Sequence, residues 1–236
     1  MNPTQPTSVS IVVPTRNEAE NIAPLVEQIV ATGVPFRELI FVDADSNDGT
    51  REAIEAFVPH QPVYMLEQTP SELGLAAAVM AGARAAAGDV LVIMDADLSH
   101  PPERIHDLLA PLFSNRANMV VGSRYIRGGS TPGWPLWRKA LSRVGSALAY
   151  PVTGVHDSMC GFFAIERQLL LEISPPTVGF KIAFETIVRG KSKLHVKEVP
   201  IAFRDRMRGR SKMSLGIAFR FLLRWLAAVF RRLFRR

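Results

Sequence analysis

The chain has 236 residues, 47% of them hydrophobic, which is enough to bury the core of one α/β domain of ordinary size. A single cysteine excludes an internal disulfide, and residues 1–10 lack the basic and apolar regions of a signal peptide, so we expect none. The net charge of +6 is uneven. Residues 204–236 hold eleven Lys or Arg and one acid, residues 1–203 carry a net charge of −4, and an anionic partner is therefore expected at the carboxyl-terminal end.

Short apolar runs alternate with helical patterns along the first half of the chain. The predicted strands are 8–13, 37–42, 62–66, 90–94 and 119–121. The predicted helices between them are 18–31, 51–57, 72–87 and 102–113. Strands that alternate with helices indicate βαβ units and an α/β fold with a mostly parallel central sheet flanked by helices.

The second half is less regular. A loop at 127–133 precedes a helix at about 136–150, and a turn at 157–163 leads into a strand. Another strand is predicted at 193–200. A basic segment at 203–212 is expected to form a loop that orders over phosphates, and a helix follows from about 213 to the end.

The sequence VLVIMDADLSHPPE, beginning at Val90, carries the strongest signal for a site. Its five apolar residues are typical of a strand buried on both faces, and the run ends at Asp95 and Asp97. A capping serine, two prolines and an acid then indicate the start of a helix. Two neighbouring carboxylates at the carboxyl end of a central strand favour a site for Mg²⁺ or Mn²⁺. The alternative is that both acids are ordinary turn and cap residues.

Further acids and cations extend this pattern. Asp43 and Asp45 follow another predicted strand. The cations that we expect to hold phosphate are Arg124, Lys181, Arg206 and Lys212. Acids for a metal with cations beyond them suit a nucleoside diphosphate. No Gly-rich phosphate loop of the P-loop or Rossmann type follows a strand, which counts against those chemistries.

The motifs of the chain resemble, as a set, those of a known enzyme family. Its sequences VVPTRNEAENI, VDADSNDGT, LGLAAAVMAG, MDADLSHPPE, VGSRY, DSMCGFF, GFKIAFE and FRDRMRGRSKM resemble, in order over about 8–213, the motifs of dolichol-phosphate mannose synthases. These are inverting family-2 glycosyltransferases with the GT-A fold. The resemblance implies transfer of mannose from GDP-mannose to dolichyl or another polyprenyl phosphate.

The resemblance also implies roles for individual residues. The nucleotide pocket would contain Pro14, Arg16, Glu18, Val42 and an acid of the turn, Asp43 or Asp45. The metal and the sugar nucleotide would be held by Asp95, Ala96, Asp97 and Ser99, with Asp97 as the principal metal ligand and Asp95 bridging to the donor. The four cations named above would bind phosphates of donor or acceptor.

Two departures from the family pattern matter. The family usually has Tyr at the position of Arg16. It also usually has a second Asp at the position of Ala44, so the residues themselves do not show whether Asp43 or Asp45 contacts the base. The residues also do not discriminate the sugar. Three alternative functions remain open. They are a UDP-glucose-dependent polyprenyl-phosphate glucosyltransferase, an inactive membrane-surface scaffold and a transferase acting on a polar acceptor.

The carboxyl-terminal sequence is predicted to be an amphipathic helix on the membrane surface. We therefore divide the chain into a glycosyltransferase domain at 1–212 and this helix at 213–236. On a helical projection Arg220, Arg224, Arg231 and Arg235 fall within an arc of about 60°, opposite Trp, Phe and Leu residues. The pattern predicts a peripheral enzyme on the cytoplasmic face of an anionic membrane, with no nucleic-acid partner. The alternatives are that this helix packs on the protein's own core, or that a longer parent chain contains membrane-spanning helices.

Several other polar and aromatic residues have a simpler structural interpretation. Asp48 is expected to be a helix cap, and His100 and His156 are expected to be structural. The basic residues Arg138, Lys139 and Arg143 are expected to form a solvated helix face. Trp134 and Trp137 suit either loop anchors or acceptor contacts.

Overall fold

The computed structural model describes residues 8–68, 74–173, 175 and 181–205. The strands are β1 (Val9–Thr15), β2 (Glu38–Asp43), β3 (Val63–Glu67), β4 (Val90–Ile93), β5 (Met119–Ser123), β6 (Phe163–Glu166) and β7 (Val196–Pro200). The helices are α1 (Ala19–Ala31), α2 (Thr50–Glu55), α3 (Leu75–Ala85), α4 (Ile105–Phe113), α5 (Leu136–Thr153), α6 (Arg167–Ile173) and α7 (Ile182–Gly190). Short 3₁₀ turns at Pro102–Arg104 and Lys191–Lys193 precede α4 and follow α7.

The described strands form one sheet in the order β3-β2-β1-β4-β6-β5-β7. All neighbouring strands are parallel except β6, which lies antiparallel between β4 and β5. The strand order reverses direction between β1 and β4, since β2 and β3 lie to one side and the later strands to the other. In sheets of this kind ligands bind outside the carboxyl ends of the strands at that reversal.

Small residues allow α3 to lie close to the sheet. A Cβ atom at Gly82 would come within 2.4 Å of a Val12 side-chain carbon, and alanines surround it on the buried face of the helix. Gly88, which follows α3, has no room for a side chain either, because a Cβ there would lie 2.7 Å from the backbone nitrogen of Ser10. This close packing fixes the height at which the chain enters β4, and therefore where Asp95 emerges from the sheet.

The sequence-based prediction of a mostly parallel sheet flanked by helices is confirmed. The turn predicted at 157–163 leads into β6, which begins at Phe163, as expected. Two elements, α6 and α7, were not predicted. Both helices are short, and α7 contains β-branched residues that favour strands in isolation, so tertiary packing decides their conformation.

None of the helices in the described part of the chain combines the length and the hydrophobicity needed to cross a lipid bilayer. The predicted amphipathic helix at 213–236 and most of the predicted basic loop at 203–212 lie outside the described residues.

Candidate active site

The carboxyl ends of β2, β1 and β4 lie side by side and form the floor of the candidate site. Pro14 of β1 pairs with Val42 of β2, and Val12 of β1 pairs with Ile93 of β4. The two acid-containing turns predicted from the sequence therefore meet at one edge of the sheet. Because this edge is also the point where strand order reverses, it is the expected position for a nucleotide ligand.

The loops after β1 and β2 are tied together by hydrogen bonds. The backbone N–H of Asn17 donates to Ser46 Oγ at 2.8 Å, and the N–H of Asn47 donates to Asn17 Oδ1 at 3.0 Å. The N–H of Glu18 donates to Thr50 Oγ1 at 2.9 Å. Asn17 has a φ of 56°, a conformation that asparagine tolerates better than most residues. These bonds hold the predicted nucleotide-pocket residues in a fixed arrangement.

The two acids of the turn after β2 differ in burial and in the hydrogen bonds of their carboxylates. Asp43 is buried and accepts hydrogen bonds from the backbone N–H of Ser46 at 3.0 Å and its hydroxyl at 2.5 Å. Asp45 is exposed and has a φ of 58°. Asp43 therefore shapes the turn, whereas Asp45 presents its carboxylate to solvent.

Asp48 connects the first two helices. It accepts hydrogen bonds from the backbone N–H groups of Thr50 and Ala19, the first residues of α2 and α1, at 3.1 and 3.2 Å. Asp48 thus bonds to both helix starts, although the residue at the N-cap position of α2 is Gly49. Partial burial acts to raise the pKa of Asp48, but hydrogen bonds from Thr50 and Ala19 outweigh it and lower the pKa.

The predicted metal residues lie together after β4. The side chain of Asp95 is 34% exposed, whereas Asp97 is buried and its Oδ1 accepts the backbone N–H of Ser99 at 3.1 Å. Ser99 Oγ is buried and has no hydrogen-bond partner in the described structure. A buried hydroxyl oxygen left without a partner beside two carboxylates fits a hard divalent cation, which prefers oxygen ligands.

His100 lies directly behind these acids. It is buried, and its Nδ1 accepts the backbone N–H of Asp95 at 2.9 Å. Burial lowers the pKa of His100, although Asp95 and Asp97 act in the opposite direction. His100 thus contributes to the backbone conformation of the acid turn, which agrees with the structural role predicted for it.

A small cleft opens beside Asp95. Its lining residues are Leu75, Val79, Ile93, Asp95, Met159, Cys160, Gly161, Lys181 and Ile182. Lys181 Nζ donates to the carbonyl of Met159 at 3.3 Å, and Lys181 lines the same cleft as Asp95. Burial and the nearby Arg124 lower the pKa of Lys181. Burial raises the pKa of the Cys160 thiol to about 12, which makes this cysteine a poor nucleophile.

Arg124 is engaged by a partner that the sequence analysis did not assign. Its Nε and Nη2 each donate to the carboxylate of Asp157 at 2.7 Å, and its backbone N–H donates to the same group at 2.9 Å. The two side chains are only 8% and 0% exposed. The charge of Arg124 is therefore balanced by Asp157, and its binding of a phosphate stays a prediction.

Aromatic side chains connect the acid turn to the chain that follows β7. Phe203 makes edge contacts with the rings of both His100 and Trp134, with centroids 5.3 and 5.4 Å apart. The guanidinium of Arg138 lies 3.9 Å from the centre of the Trp134 ring and pairs with Asp205 at 2.8 Å. Trp134 is thus a buried anchor.

The other residues singled out on α5 and just after it differ in exposure and in their partners. Trp137 is 67% exposed. His156 pairs with Glu198 at 2.8 Å, which agrees with the structural role predicted for it. Arg143 is exposed, as expected of a solvated helix face, whereas Arg138 is held by Trp134 and Asp205.

The structure thus brings most of the predicted site residues to one edge of the sheet. These are Pro14, Arg16, Glu18, Val42, Asp43, Asp45, Asp95, Ala96, Asp97, Ser99 and Lys181. Arg206 and Lys212 lie outside the described residues. Asp157, Gly161 and Phe203 were quoted only within motifs and given no role. The sequence DSMCGFF signalled that the first two were near a site but not which atoms they contact.

Comparison with known proteins identifies relatives along most of the chain. A model of glycosyl transferase family 2 matches residues 10–183. The dolichol-phosphate mannosyltransferase of Pyrococcus furiosus is 37% identical over 220 residues, covering 91% of this chain and 61% of that protein. That of Saccharomyces cerevisiae is 36% identical over 227 residues, covering 90% and 84%. The polyprenol monophosphomannose synthase of Mycolicibacterium smegmatis is 36% identical, covering 91% and 83%. The chain therefore spans less than two thirds of the Pyrococcus protein.

Solved structures show the same fold. Glucosyl-3-phosphoglycerate synthase from Mycobacterium tuberculosis, determined with Mn²⁺, UDP-glucose and phosphoglyceric acid, superposes with a TM-score of 0.73 at 22% identity. The match covers 94% of this chain and 79% of that one. The fold prediction made from the sequence, an α/β domain of GT-A type, is confirmed.

Proposed function

The chain belongs to glycosyl transferase family 2, and we propose that it transfers mannose from GDP-mannose to dolichyl or another polyprenyl phosphate. The observation that carries the proposal is the placement of Asp95 and Asp97 at the strand-order reversal, with Lys181 lining the same cleft as Asp95. The choice of mannose and of a polyprenyl acceptor is supported by the names of relatives that are 36–37% identical over about nine tenths of the chain.

The metal proposed for this site is Mg²⁺ or Mn²⁺, held by Asp95, Asp97 and Ser99. When bound, such an ion neutralises charge that develops on the departing diphosphate. Within the described residues, no group of three or more His, Cys, Asp or Glu side chains forms a complete metal site. Water and donor phosphate oxygens would supply further ligands, as is usual for these hard cations. The Mn²⁺ in related folds is consistent with this assignment.

The proposed reaction needs positioning more than acid–base catalysis. A phosphate acceptor is already ionised near neutral pH, so its oxygen attacks the anomeric carbon without a strong base. The carbon–oxygen bond to the acceptor forms as the bond to GDP breaks, and in-line attack inverts an α-linked donor to a β-linked product. Lys181 contributes positive charge beside the leaving group or acceptor, and the buried, protonated Cys160 takes no covalent part.

An exposed apolar stripe on α5 supports a membrane-surface location. Its side chains, between 43% and 67% exposed, are Trp137, Leu141, Val144 and Leu148. Their spacing of four, three and four residues places them on one face of the helix. The basic residues Lys139 and Arg143 lie among them in sequence, which suits the headgroup region of an anionic bilayer. We propose that the enzyme is peripheral and acts on the cytoplasmic face of a membrane; the stripe supports the membrane contact but not the choice of face.

A donor panel tests the proposal. Thermal unfolding would be measured with GDP-mannose, UDP-glucose and UDP-N-acetylglucosamine, each with and without Mn²⁺. A ligand at 100 times its Kd stabilises the native state by about 2.7 kcal/mol, which is readily detected as a shift in Tm. We expect the largest shift with GDP-mannose plus Mn²⁺ and a loss of the metal-dependent part in Asp97→Asn. A larger shift with UDP-glucose would reassign the donor, and no shift with any donor would favour an inactive scaffold.

A further inference from the structure

The imidazole of His100 is held rigidly behind the acid turn. The ring is 1% exposed and stacks on Phe162, with centroids 5.2 Å apart and planes 14° apart. Phe203 contacts it edge-on from another side, with an interplanar angle of 75°. These contacts come from the residue before β6 and from the chain after β7, so the ring orientation is fixed by two separate parts of the fold.

The hydrogen bonds of His100 determine where its proton lies. Nδ1 accepts the backbone N–H of Asp95 at 2.9 Å. A ring nitrogen that accepts an amide proton carries none itself, so the neutral ring has its proton on Nε2. This tautomer follows from the contact with the main chain alone.

The Nε2–H group has no hydrogen-bond partner among the described residues, although it is buried. Asp95 Oδ2 lies 3.8 Å from Nε2, a distance that is too long for a hydrogen bond. A buried donor without an acceptor is unfavourable and rare in native structures. His100 therefore presents a fixed, unsatisfied N–H group towards an acid of the candidate metal site.

Gly161 leaves the space in which Asp95 and His100 approach each other. A Cβ atom at this position would lie 3.3 Å from His100 Cε1 and 3.4 Å from Asp95 Oδ1. A side chain there would crowd both groups. With glycine, a side-chain movement of Asp95 of about 1 Å is enough to bring Oδ2 within hydrogen-bond distance of Nε2.

We propose that His100 is the positioning residue of Asp95: in the liganded enzyme its Nε2–H donates to Oδ2, which leaves Oδ1 for the metal and the donor. This inference rests on the proposed role of Asp95 in metal and donor binding. A second hydrogen bond to a metal-binding carboxylate restricts its orientation, and loss of such outer contacts typically weakens metal affinity by about 10–100-fold.

Two substitutions separate the functions of the two ring nitrogens. His100→Asn keeps an acceptor near the position of Nδ1 but has no group at Nε2. His100→Gln places an amide N–H₂ near Nε2 but loses the acceptor for the Asp95 backbone. His106→Gln is the matched control, because His106 is an exposed histidine on α4 whose Nε2 contacts the carbonyl of Thr32 at 3.0 Å.

Mn²⁺ affinity would be measured by titration calorimetry in the presence of saturating GDP. We expect His100→Asn to weaken Mn²⁺ binding about 10–100-fold, and His100→Gln and His106→Gln to stay close to the wild type. Equal affinity in all four proteins, or equal weakening in both His100 variants, would overturn the role of Nε2 while leaving the proposed function intact. Failure of the wild type to bind Mn²⁺ with GDP would overturn both.

A spectroscopic measurement on the unmodified protein covers the case in which the variants do not fold. Long-range ¹H–¹⁵N correlation of the imidazole should show a protonated Nε2 and an unprotonated Nδ1 for His100. Addition of Mg²⁺ and GDP should move the Hε2 resonance downfield as the bond to Asp95 forms. A protonated Nδ1, or an Hε2 resonance that does not respond to Mg²⁺ and GDP, would contradict the proposal.

Discussion

Replacing Asp157 with alanine should destabilise the fold strongly, because it would strand the guanidinium of Arg124 in the interior. The pair forms three hydrogen bonds of 2.7–2.9 Å, and its side chains are 8% and 0% exposed. Removing one partner of a buried ion pair costs about 3–5 kcal/mol, since an uncompensated charge remains. At about 2–4 °C per kcal/mol for a domain of this size, Tm should fall by about 6–20 °C.

The assay is thermal and urea unfolding beside a matched surface pair. Arg104 and Asp107 are joined by a bond of similar length, 2.8 Å, but their side chains are 47% and 46% exposed. Asp107→Ala should therefore cost only about 0–1 kcal/mol. The double variant Arg124→Met/Asp157→Leu should be more stable than Asp157→Ala, because no charge is left buried.

Equal stability of Asp157→Ala and Asp107→Ala would refute this reasoning. If the stability of Asp157→Ala were preserved while its donor affinity fell, Arg124 would be the open phosphate ligand that the family resemblance implies. A large loss of stability in Asp157→Ala would instead show that Arg124 has a structural role in supporting the site.

Three further predictions concern the site and the membrane. Asp97→Asn should leave the fold intact but lower the transfer rate by about two or more orders of magnitude, ~3 kcal/mol of barrier, because it removes an anionic metal ligand; near wild-type turnover would disprove the metal assignment. Burial and Arg124 lower the pKa of Lys181, so its charge is lost at a lower pH than that of an ordinary lysine and activity should fall on the alkaline side. Lys181→Arg should extend activity to higher pH, and a pH–rate profile with an unchanged alkaline limb would contradict this role. Trp137→Ser/Leu141→Ser should reduce co-sedimentation with anionic liposomes without affecting donor binding, and unchanged co-sedimentation would exclude α5 as a contact surface. The corresponding test of the predicted carboxyl-terminal helix is Arg→Glu at Arg220, Arg224, Arg231 and Arg235 together, which should release the protein from those liposomes.

The strands and the metal turn could be predicted because their signals are local. The apolar run that becomes β4 ends at Asp95 whatever surrounds it, and the serine and prolines that follow indicate a helix start without reference to other residues. The sheet position of β4 beside β1 then follows from the rules for parallel βαβ units.

The contacts that could not be predicted join residues distant in sequence. Arg124 was expected to bind phosphate as a cation within VGSRY, a sequence that resembles a family motif. Its ion-pair partner, Asp157, is 33 residues away and precedes β6, which folds back between β4 and β5. Phe203 reaches His100 only because β7 pairs with β5 at the far edge of the sheet. Hydrophobic periodicity carries no information about such pairings.

The most direct test of the account is a transfer assay with radiolabelled GDP-mannose, dolichyl phosphate in anionic liposomes and Mn²⁺. We expect label in the lipid extract as a β-linked mannosyl phosphate, a strict need for the acceptor phosphate, and no product with Asp97→Asn. Label transferred from UDP-glucose but not from GDP-mannose, or an α-linked product, would contradict it.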